Sequence, residues 1–219
     1  MSQEVFRNII IQLLGGLYDT LLIFLYTLLF SLPLGMLVCV LRMCSWRIVS
    51  IPVTVFISVL RGTPLMLQLL VVFFGPYYIF GISVRDEYRF PAVIIAFSVN
   101  YAAYFAEIFR GGIQAVPVGQ SEAALVLGYS KVQTFFKIIL PQVIKRALPA
   151  VTNEVITLTK DTSLAFALAY TEMFTLAKQL SSSQRSMIPY IAAGVFYYIL
   201  NAVVAFVMER FEKYFNYYR

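Results

Sequence analysis

The sequence contains no histidine and only two cysteines, and 13% of its 219 residues are charged. Without histidine, the metal sites and acid–base catalysis that depend on an imidazole are excluded. The two thiols, Cys39 and Cys44, lie five residues apart, a spacing that does not place them face to face on a helix. We therefore expect both to be reduced, and the sequence predicts no metal site in this chain.

The composition indicates a chain surrounded by lipid. Hydrophobic residues make up 60% of it, and its mean hydropathy is +0.80. Soluble domains are about half apolar and about a quarter charged, so a soluble fold could not bury this much apolar surface. The net charge of +6 would fit nucleic acid, but the basic residues are scattered at the ends of apolar runs. We therefore expect a bilayer and no nucleic acid as the partner of this surface.

Five apolar runs are each near the twenty residues that cross about 30 Å of hydrocarbon. They predict an all-α polytopic membrane protein whose single transmembrane domain covers residues 1–219. The predicted spans are 17–41, 51–80, 91–109, 148–170 and 188–207. The fourth run is the most polar, and a polar loop at 111–146 precedes it.

The distribution of positive charge predicts the orientation, because cytoplasmic loops carry an excess of lysine and arginine. An odd number of spans places the two termini on opposite sides. With the N-terminus outside and the C-terminus in the cytoplasm, ten basic residues lie on the inner side: Arg42, Arg47, Arg110, Lys131, Lys137, Lys145, Arg146, Arg210, Lys213 and Arg219. Five lie on the outer side: Arg7, Arg85, Arg89, Lys178 and Arg185. The loop at 111–146 is then cytoplasmic.

Within that loop, residues 122–141 read EAALVLGYSKVQTFFKIILP. Ser121 is a plausible N-cap for a short helix with small side chains. Gly128 allows a sharp exit from this helix. A second helix is expected to begin near Ser130, and Pro141 is expected to break it. The segment could lie on the membrane as an amphipathic helix, or it could be presented to a soluble partner.

The same segment resembles the EAA loop of ATP-binding-cassette (ABC) import permeases. Glu-Ala-Ala is followed by glycine four residues after the second alanine, and Ile-x-Leu-Pro comes after nine more residues. Further segments resemble the polar amino acid branch of that family: ISVLRGTPLMLQLL at 57–70, NYAAYFAEIFRGGIQAVPVGQSEAA at 100–124 and TKDTSLAFAL at 159–168. With GLYDTLLIFLYTLLFSLPLG at 16–35, the resemblance covers most of the chain.

The resemblance implies a Type I importer in a bacterial plasma (inner) membrane. Two permease subunits, identical or different, would pair. Two cytoplasmic ABC ATPases would drive them, and an extracytoplasmic solute-binding protein would deliver an amino acid. This chain has no Walker A sequence, so ATP and magnesium would be bound by the separate ATPase, with no cofactor and no catalytic residue here. The resemblance assigns ATPase coupling to Glu122, Ala123, Ala124, Gly128 and Pro141.

Polar residues inside apolar runs are costly in a bilayer and therefore indicate function. Asn100, Tyr104 and Glu107 are spaced to share one helix face. Candidate residues of the substrate pathway are Gln68, Asn100, Tyr104, Glu107, Lys160, Asp161, Thr162 and Ser163. Candidate residues of a helix break or gate are Arg61, Gly62, Thr63 and Pro64.

Two alternatives stay open at this point. Lys160 could form a structural pair with Asp161 or with Glu107, in which case these charges would not contact solute. The chain could also be a stand-alone channel or an ion-coupled secondary transporter that uses Glu107 and Asp161 as ion sites. An intramembrane enzyme is disfavoured, because no nucleophile–base arrangement is recognisable. The sequence does not distinguish cationic, polar neutral and cystine-like amino acids as the solute.

Overall fold

The computed structural model describes residues 3–215, which form helices joined by short turns and loops; no strand occurs among them. Arg219, counted above on the inner side, lies outside this range. The predicted all-α membrane fold is confirmed. The helices are α1 (Gln3–Arg42), α2 (Arg47–Gly62), α3 (Leu65–Phe80), α4 (Arg89–Gln114), α5 (Val118–Val126), α6 (Lys131–Thr134), α7 (Leu140–Asp161), α8 (Met173–Gln184) and α9 (Ile188–Phe215).

Helices α1 and α4 form the most extensive helix pair and build the centre of the fold. Phe97, Tyr101 and Phe105 of α4 are buried, and their rings follow one another along one face of the helix. Gly35 of α1 allows the close approach: a Cβ atom there would lie 2.8 Å from the Cβ of Phe105. Because α4 is mostly buried whereas α9 is exposed along most of its length, α4 is the helix against which the others are positioned.

A test by helix length and composition alone identifies fewer spans than the about five that the sequence indicates, because α7, the helix of the most polar run, is not among the helices that pass it. Among residues 3–215, three helices are long and apolar enough to cross a membrane, and a fourth is added if α2 and α3 count as one bent span. The predicted run 51–80 is this bent pair, whose axes change direction by 111° between Gly62 and Leu65. Helix α1 has 40 residues, which makes it about 60 Å long and longer than the hydrocarbon core.

The predicted fourth span, 148–170, has different bounds. Helix α7 begins earlier, at Leu140, and ends at Asp161, where a 3₁₀ segment covers Thr162–Leu168. The Thr159, Thr162 and Ser163 hydroxyls each donate to the carbonyl three residues before them. Such local bonds compete with the α-helical ladder and favour a tighter turn. A hydropathy pattern does not register this change, because the residues that follow are still apolar.

The loop predictions need two corrections. Helix α5 begins at Val118 with Pro117 as its N-cap, so Ser121 is inside the helix and does not cap it. Pro141 does not break the second helix, because the chain stays helical from Lys131 to Asp161. A π-helical turn at Phe135–Ile139 ends two residues before the proline. Its wider turn accommodates a residue that lacks an N–H and would crowd a normal α-turn.

A buried carboxylate connects the first, eighth and ninth helices. Glu172 is fully buried at the N-cap of α8 and accepts hydrogen bonds from the backbone N–H groups of Phe174 and Thr175, each at 2.8 Å. Tyr197 of α9 donates to it at 2.9 Å. The Thr20 hydroxyl of α1 accepts a hydrogen bond from the backbone N–H of Met173, the residue after Glu172. This set of bonds fixes where α8 packs against α1 and α9.

We predict that Glu172→Gln destabilises the fold. A carboxylate accepts at both oxygens, whereas the amide would direct its own N–H₂ group at buried donors, and an unsatisfied buried group costs about 1–3 kcal/mol. The thermal midpoint of the detergent-purified protein should fall by several degrees. Glu209→Gln is the matched control, because Glu209 lies in an exposed pair with Lys213, a type of contact worth at most about 1 kcal/mol. Equal midpoints for the two variants would contradict this role of Glu172.

Candidate functional site

The break between α2 and α3 is closed by two side-chain amides. The Gln68 side chain donates to the carbonyls of Leu60 (2.8 Å) and Thr63 (3.1 Å). Asn100 of α4 donates to the Gln68 amide oxygen at 2.9 Å and to the Leu60 carbonyl at 3.2 Å. A helix that ends inside a membrane leaves carbonyls that water cannot reach, so side chains must bond them. Gln68 and Asn100 therefore brace the break.

A cavity of about 460 Å³ lies beside this break. Arg61, one residue before the end of α2, stacks over the Tyr104 ring with its guanidinium carbon 5.2 Å from the ring centroid. Tyr104 and Glu107 line the cavity, as expected for two residues on one face of α4. The full lining is Arg42, Thr54, Ile57, Ser58, Arg61, Gly62, Tyr104 and Glu107.

Glu107 has an arginine partner on its own helix. Arg110, one turn away, donates to both carboxylate oxygens at 2.5–3.1 Å, and Arg42 of α1 lies 3.8 Å away. The suggested pair with Lys160 is therefore replaced by pairs with Arg110 and Arg42. This forked geometry is the strong form of a charge-assisted bond. This geometry favours a structural role for Glu107. Any contact with solute would come in addition to its bonds with Arg110.

The end of α7 presents a second polar group. Asp161 accepts a hydrogen bond from the Tyr101 hydroxyl at 2.7 Å, and it forms no salt bridge with Lys160. Lys160 is exposed, as are Asn153 and Thr157, which precede it at helical spacing on the same face of α7. The suggested pair between Lys160 and Asp161 is thus absent from residues 3–215. Lys160 therefore lies on an exposed polar face of α7.

The residues of the loop at 111–146 form an exposed surface, and the chain leaves α5 through a defined turn. Glu122 and Ala123 are exposed, whereas Ala124 is buried. Gly128 has φ +83, a value that favours glycine, and the Tyr129 N–H closes the turn on the Ala124 carbonyl at 3.0 Å. Ser130 and Gln133 form a reciprocal capping box that starts α6. Large apolar side chains remain uncovered along this surface: Val118, Leu125, Val126, Leu127, Val132 and Phe136.

The candidate pathway residues therefore fall into three groups. Gln68 and Asn100 lie at the α2–α3 break with Thr63 and Pro64. Tyr104, Glu107, Arg61 and Gly62 lie at the cavity, and Lys160, Asp161, Thr162 and Ser163 lie at the end of α7. Sequence reasoning missed Tyr101, Arg42, Arg110, Thr54 and Ser58. Only the Glu107–Arg110 spacing of three gave a signal that could have found one of them.

A family model described as "Binding-protein-dependent transport system inner membrane component" matches residues 31–216. This chain belongs to that family. Two proteins of Bacillus subtilis (strain 168) illustrate the similarity. The L-cystine transport system permease protein TcyB is 33% identical over 201 residues, which are 91% of this chain and 84% of the relative. The arginine transport system permease protein ArtQ is 34% identical over 202 residues, which are 92% of this chain and 91% of the relative.

Solved structures agree with this assignment. A crystal structure of an amino acid ABC transporter with histidines superposes with a TM-score of 0.87 at 29% identity, covering 97% of this chain and 98% of that chain. The MetNI methionine ABC transporter, in an inward-facing conformation, shares the fold with a TM-score of 0.73 at 20% identity. The family expected from the sequence, import permeases of ABC transporters, is thus confirmed, and so is a multi-pass membrane protein.

We predict that Gln68→Leu weakens the α2–α3 break. The change leaves the Thr63 carbonyl without its side-chain donor, and an unpaired backbone group in hydrocarbon costs several kcal/mol. The yield of purified protein and its thermal midpoint should both fall. Gln12→Leu, which makes the same substitution at an exposed position of α1, is the control and should leave both unchanged. If Gln68→Leu behaves like this control, Gln68 does not brace the break.

Proposed function

We propose that this chain is the permease subunit of an ATP-driven ABC importer that moves a polar amino acid across the bacterial inner membrane. The observation that carries the proposal is the exposed apolar surface of α5 and α6 in a chain of this family. Contiguous exposed apolar patches mark interaction sites. Amino acids as solutes are supported by relatives that are named as arginine and L-cystine transport permeases.

The path from the ATPase into the membrane follows one continuous helical segment. A separate ATPase holds α5 in a groove, and its movement on ATP binding shifts the turn at Gly128. The chain is helical from Lys131 to Asp161, about 45 Å at 1.5 Å per residue. Arg146 of this segment donates to the Ala115 carbonyl, which ties it to the end of α4. A shift at the loop therefore reaches Lys160 and Asp161.

A second permease subunit completes the pathway. The exposed stripe of Asn153, Thr157 and Lys160 would be unfavourable against lipid tails. A facing copy of this chain, or a related chain, covers it and leaves a polar route between the two. Amino acid released by an extracytoplasmic binding protein enters this route from the side of the N-terminus. It leaves toward the C-terminal, cytoplasmic side when the helices alternate between two arrangements.

We expect uptake to require three proteins and ATP. In proteoliposomes, labelled amino acid should accumulate only when the permease, its ATPase, the solute-loaded binding protein and ATP are present together. Native mass spectrometry of the assembly should give two permease subunits and two ATPases. Uptake by permease alone, driven by an ion gradient, would support a secondary transporter, and passive equilibration would support a channel. Either result would overturn the proposal.

We predict that Gly128→Trp uncouples ATP hydrolysis from uptake. A large side chain with a Cβ is strained at φ +83, so the turn between α5 and α6 would reorganise and α5 would no longer fit its groove. Gly128→Asn is the control, because asparagine tolerates the left-handed region far better. Uptake should fall at least tenfold in the tryptophan variant and much less in the asparagine variant. Normal uptake by both variants would remove this turn from the coupling route; Glu122→Lys tests the neighbouring charge in the same assay.

A further inference from the structure

The cavity beside the α2–α3 break has more positive charge than its carboxylate neutralises. Arg110 occupies both oxygens of Glu107. Arg42 contacts that carboxylate only at 3.8 Å. The Arg61 guanidinium stacks on the Tyr104 ring and forms no salt bridge within residues 3–215. The half-buried Glu154 carboxylate acts on Arg61 electrostatically without forming a salt bridge with it. Two guanidinium groups with unused donors therefore line one cavity.

The hydroxyl groups of this cavity differ in what they can still bind. Thr54 already donates to the Ser50 carbonyl at 2.5 Å, so its oxygen can only accept. Ser58 is exposed and forms no side-chain hydrogen bond within residues 3–215, so it can donate. Guanidinium forks match carboxylates in geometry as well as in charge. An acceptor oxygen such as that of Thr54 suits an ammonium, whereas the Tyr104 ring already holds the Arg61 guanidinium.

We propose that this cavity is a binding station for the α-carboxylate of a zwitterionic amino acid, held between Arg42 and Arg61 with Ser58 as a further donor. The station rests on the proposed function, because the solute that reaches it is the transported one. Its volume of about 460 Å³ lies within the range of small-molecule sites. It does not include Lys160 or Asp161, so it is distinct from the polar group at the end of α7.

The position of the cavity fits release of the amino acid into the cytoplasm better than its capture from the binding protein. Arg42 is the last residue of α1, and Arg61 lies near the end of α2. Both line the same cavity, so the cavity lies at the level of the C-terminal end of α1. In the orientation proposed above this is the cytoplasmic half of the membrane. The cavity is open and its arginines are partly hydrated, so the carboxylate is bound weakly enough to leave. The expected behaviour is a low-affinity site that is occupied from the inside.

The test begins with the wild-type assembly. ATP-driven uptake of the twenty protein amino acids and L-cystine identifies which of them is imported. If none is imported, the proposed function fails, and the station, which depends on it, fails too. Binding of the imported amino acid is then measured on the permease–ATPase complex in nanodiscs, without ATP and without binding protein. Its decarboxylated amine is the competitor: agmatine for L-arginine, 4-aminobutanamide for L-glutamine, cystamine for L-cystine.

The measured quantity is the ratio of the inhibition constants of the amine and the amino acid. In the wild type we expect the amine to compete at least tenfold less well. In Arg61→Gln and Arg42→Gln this ratio should fall toward one, because the group that distinguishes the two ligands is lost. Arg47→Gln, which removes an exposed arginine outside the cavity lining, should keep the wild-type ratio. Ser58→Ala changes an exposed position, so it should not affect folding. It should lower the ratio by a smaller factor than the two arginine variants do.

Several results would overturn the station. One is the absence of saturable binding in an assembly that imports the amino acid, which would leave the proposed function standing. Another is an equal loss of affinity for acid and amine in Arg61→Gln, which would mean that Arg61 acts only on the fold. A third comes from lipid: if phosphatidylglycerol nanodiscs abolish binding that phosphatidylcholine nanodiscs support, the arginines bind a phosphate headgroup.

Discussion

The fold depends on one requirement of the bilayer: every backbone polar group inside it must find a partner within the protein. An unbroken helix meets this requirement by itself, but two of the membrane segments here are broken. At the α2–α3 break, the Gln68 and Asn100 amides bond the free carbonyls of Leu60 and Thr63. At the end of α7, threonine and serine hydroxyls bond back onto the preceding turn. Each break can therefore exist only where polar side chains accompany it, and those polar side chains are the candidate site.

Helix α4 holds both breaks through consecutive residues. Asn100 reaches the α2–α3 break, and Tyr101 donates to Asp161 at the end of α7. The side chains of neighbouring residues point about 100° apart around a helix, so one turn of α4 contacts two different partners. A displacement of α7 along its length must then either break the Tyr101–Asp161 bond or move α4, and with α4 the bracing amide of Asn100. The two polar groups are mechanically connected for this reason, although they are separate in space and chemistry.

The sequence predicted the parts that depend on local composition. Hydropathy identified the runs that became α1, α4 and α9, and Gly128 was expected at a sharp turn and has a positive φ. The sequence did not predict where α7 ends or that the helix tolerates Pro141. The 3₁₀ segment and the π-turn arise from hydrogen bonds that composition does not encode. Partners distant in sequence, such as Arg42 for Glu107, were also missed. Pattern reasoning finds residues on one helix face but not the side chains that another helix brings to them.

The charges of the cavity also bear on why the candidate pathway residues are not all paired with one another. A carboxylate held by a fork from Arg110 is stable in the membrane without solute, so the Glu107–Arg110 pair on α4 is kept whether or not the cavity is occupied. Arg61, by contrast, rests on the Tyr104 ring, a contact that contributes about 0.5–2 kcal/mol and leaves its N–H donors free. If protein carboxylates neutralised both Arg42 and Arg61, an incoming anion would have to displace a strong ion pair. Among residues 3–215, Glu107 is the only carboxylate that lines the cavity, and Arg110 donates to both of its oxygens. The guanidiniums of Arg42 and Arg61 therefore keep N–H donors that an incoming carboxylate can use without displacing a strong pair, which is what the proposed station requires.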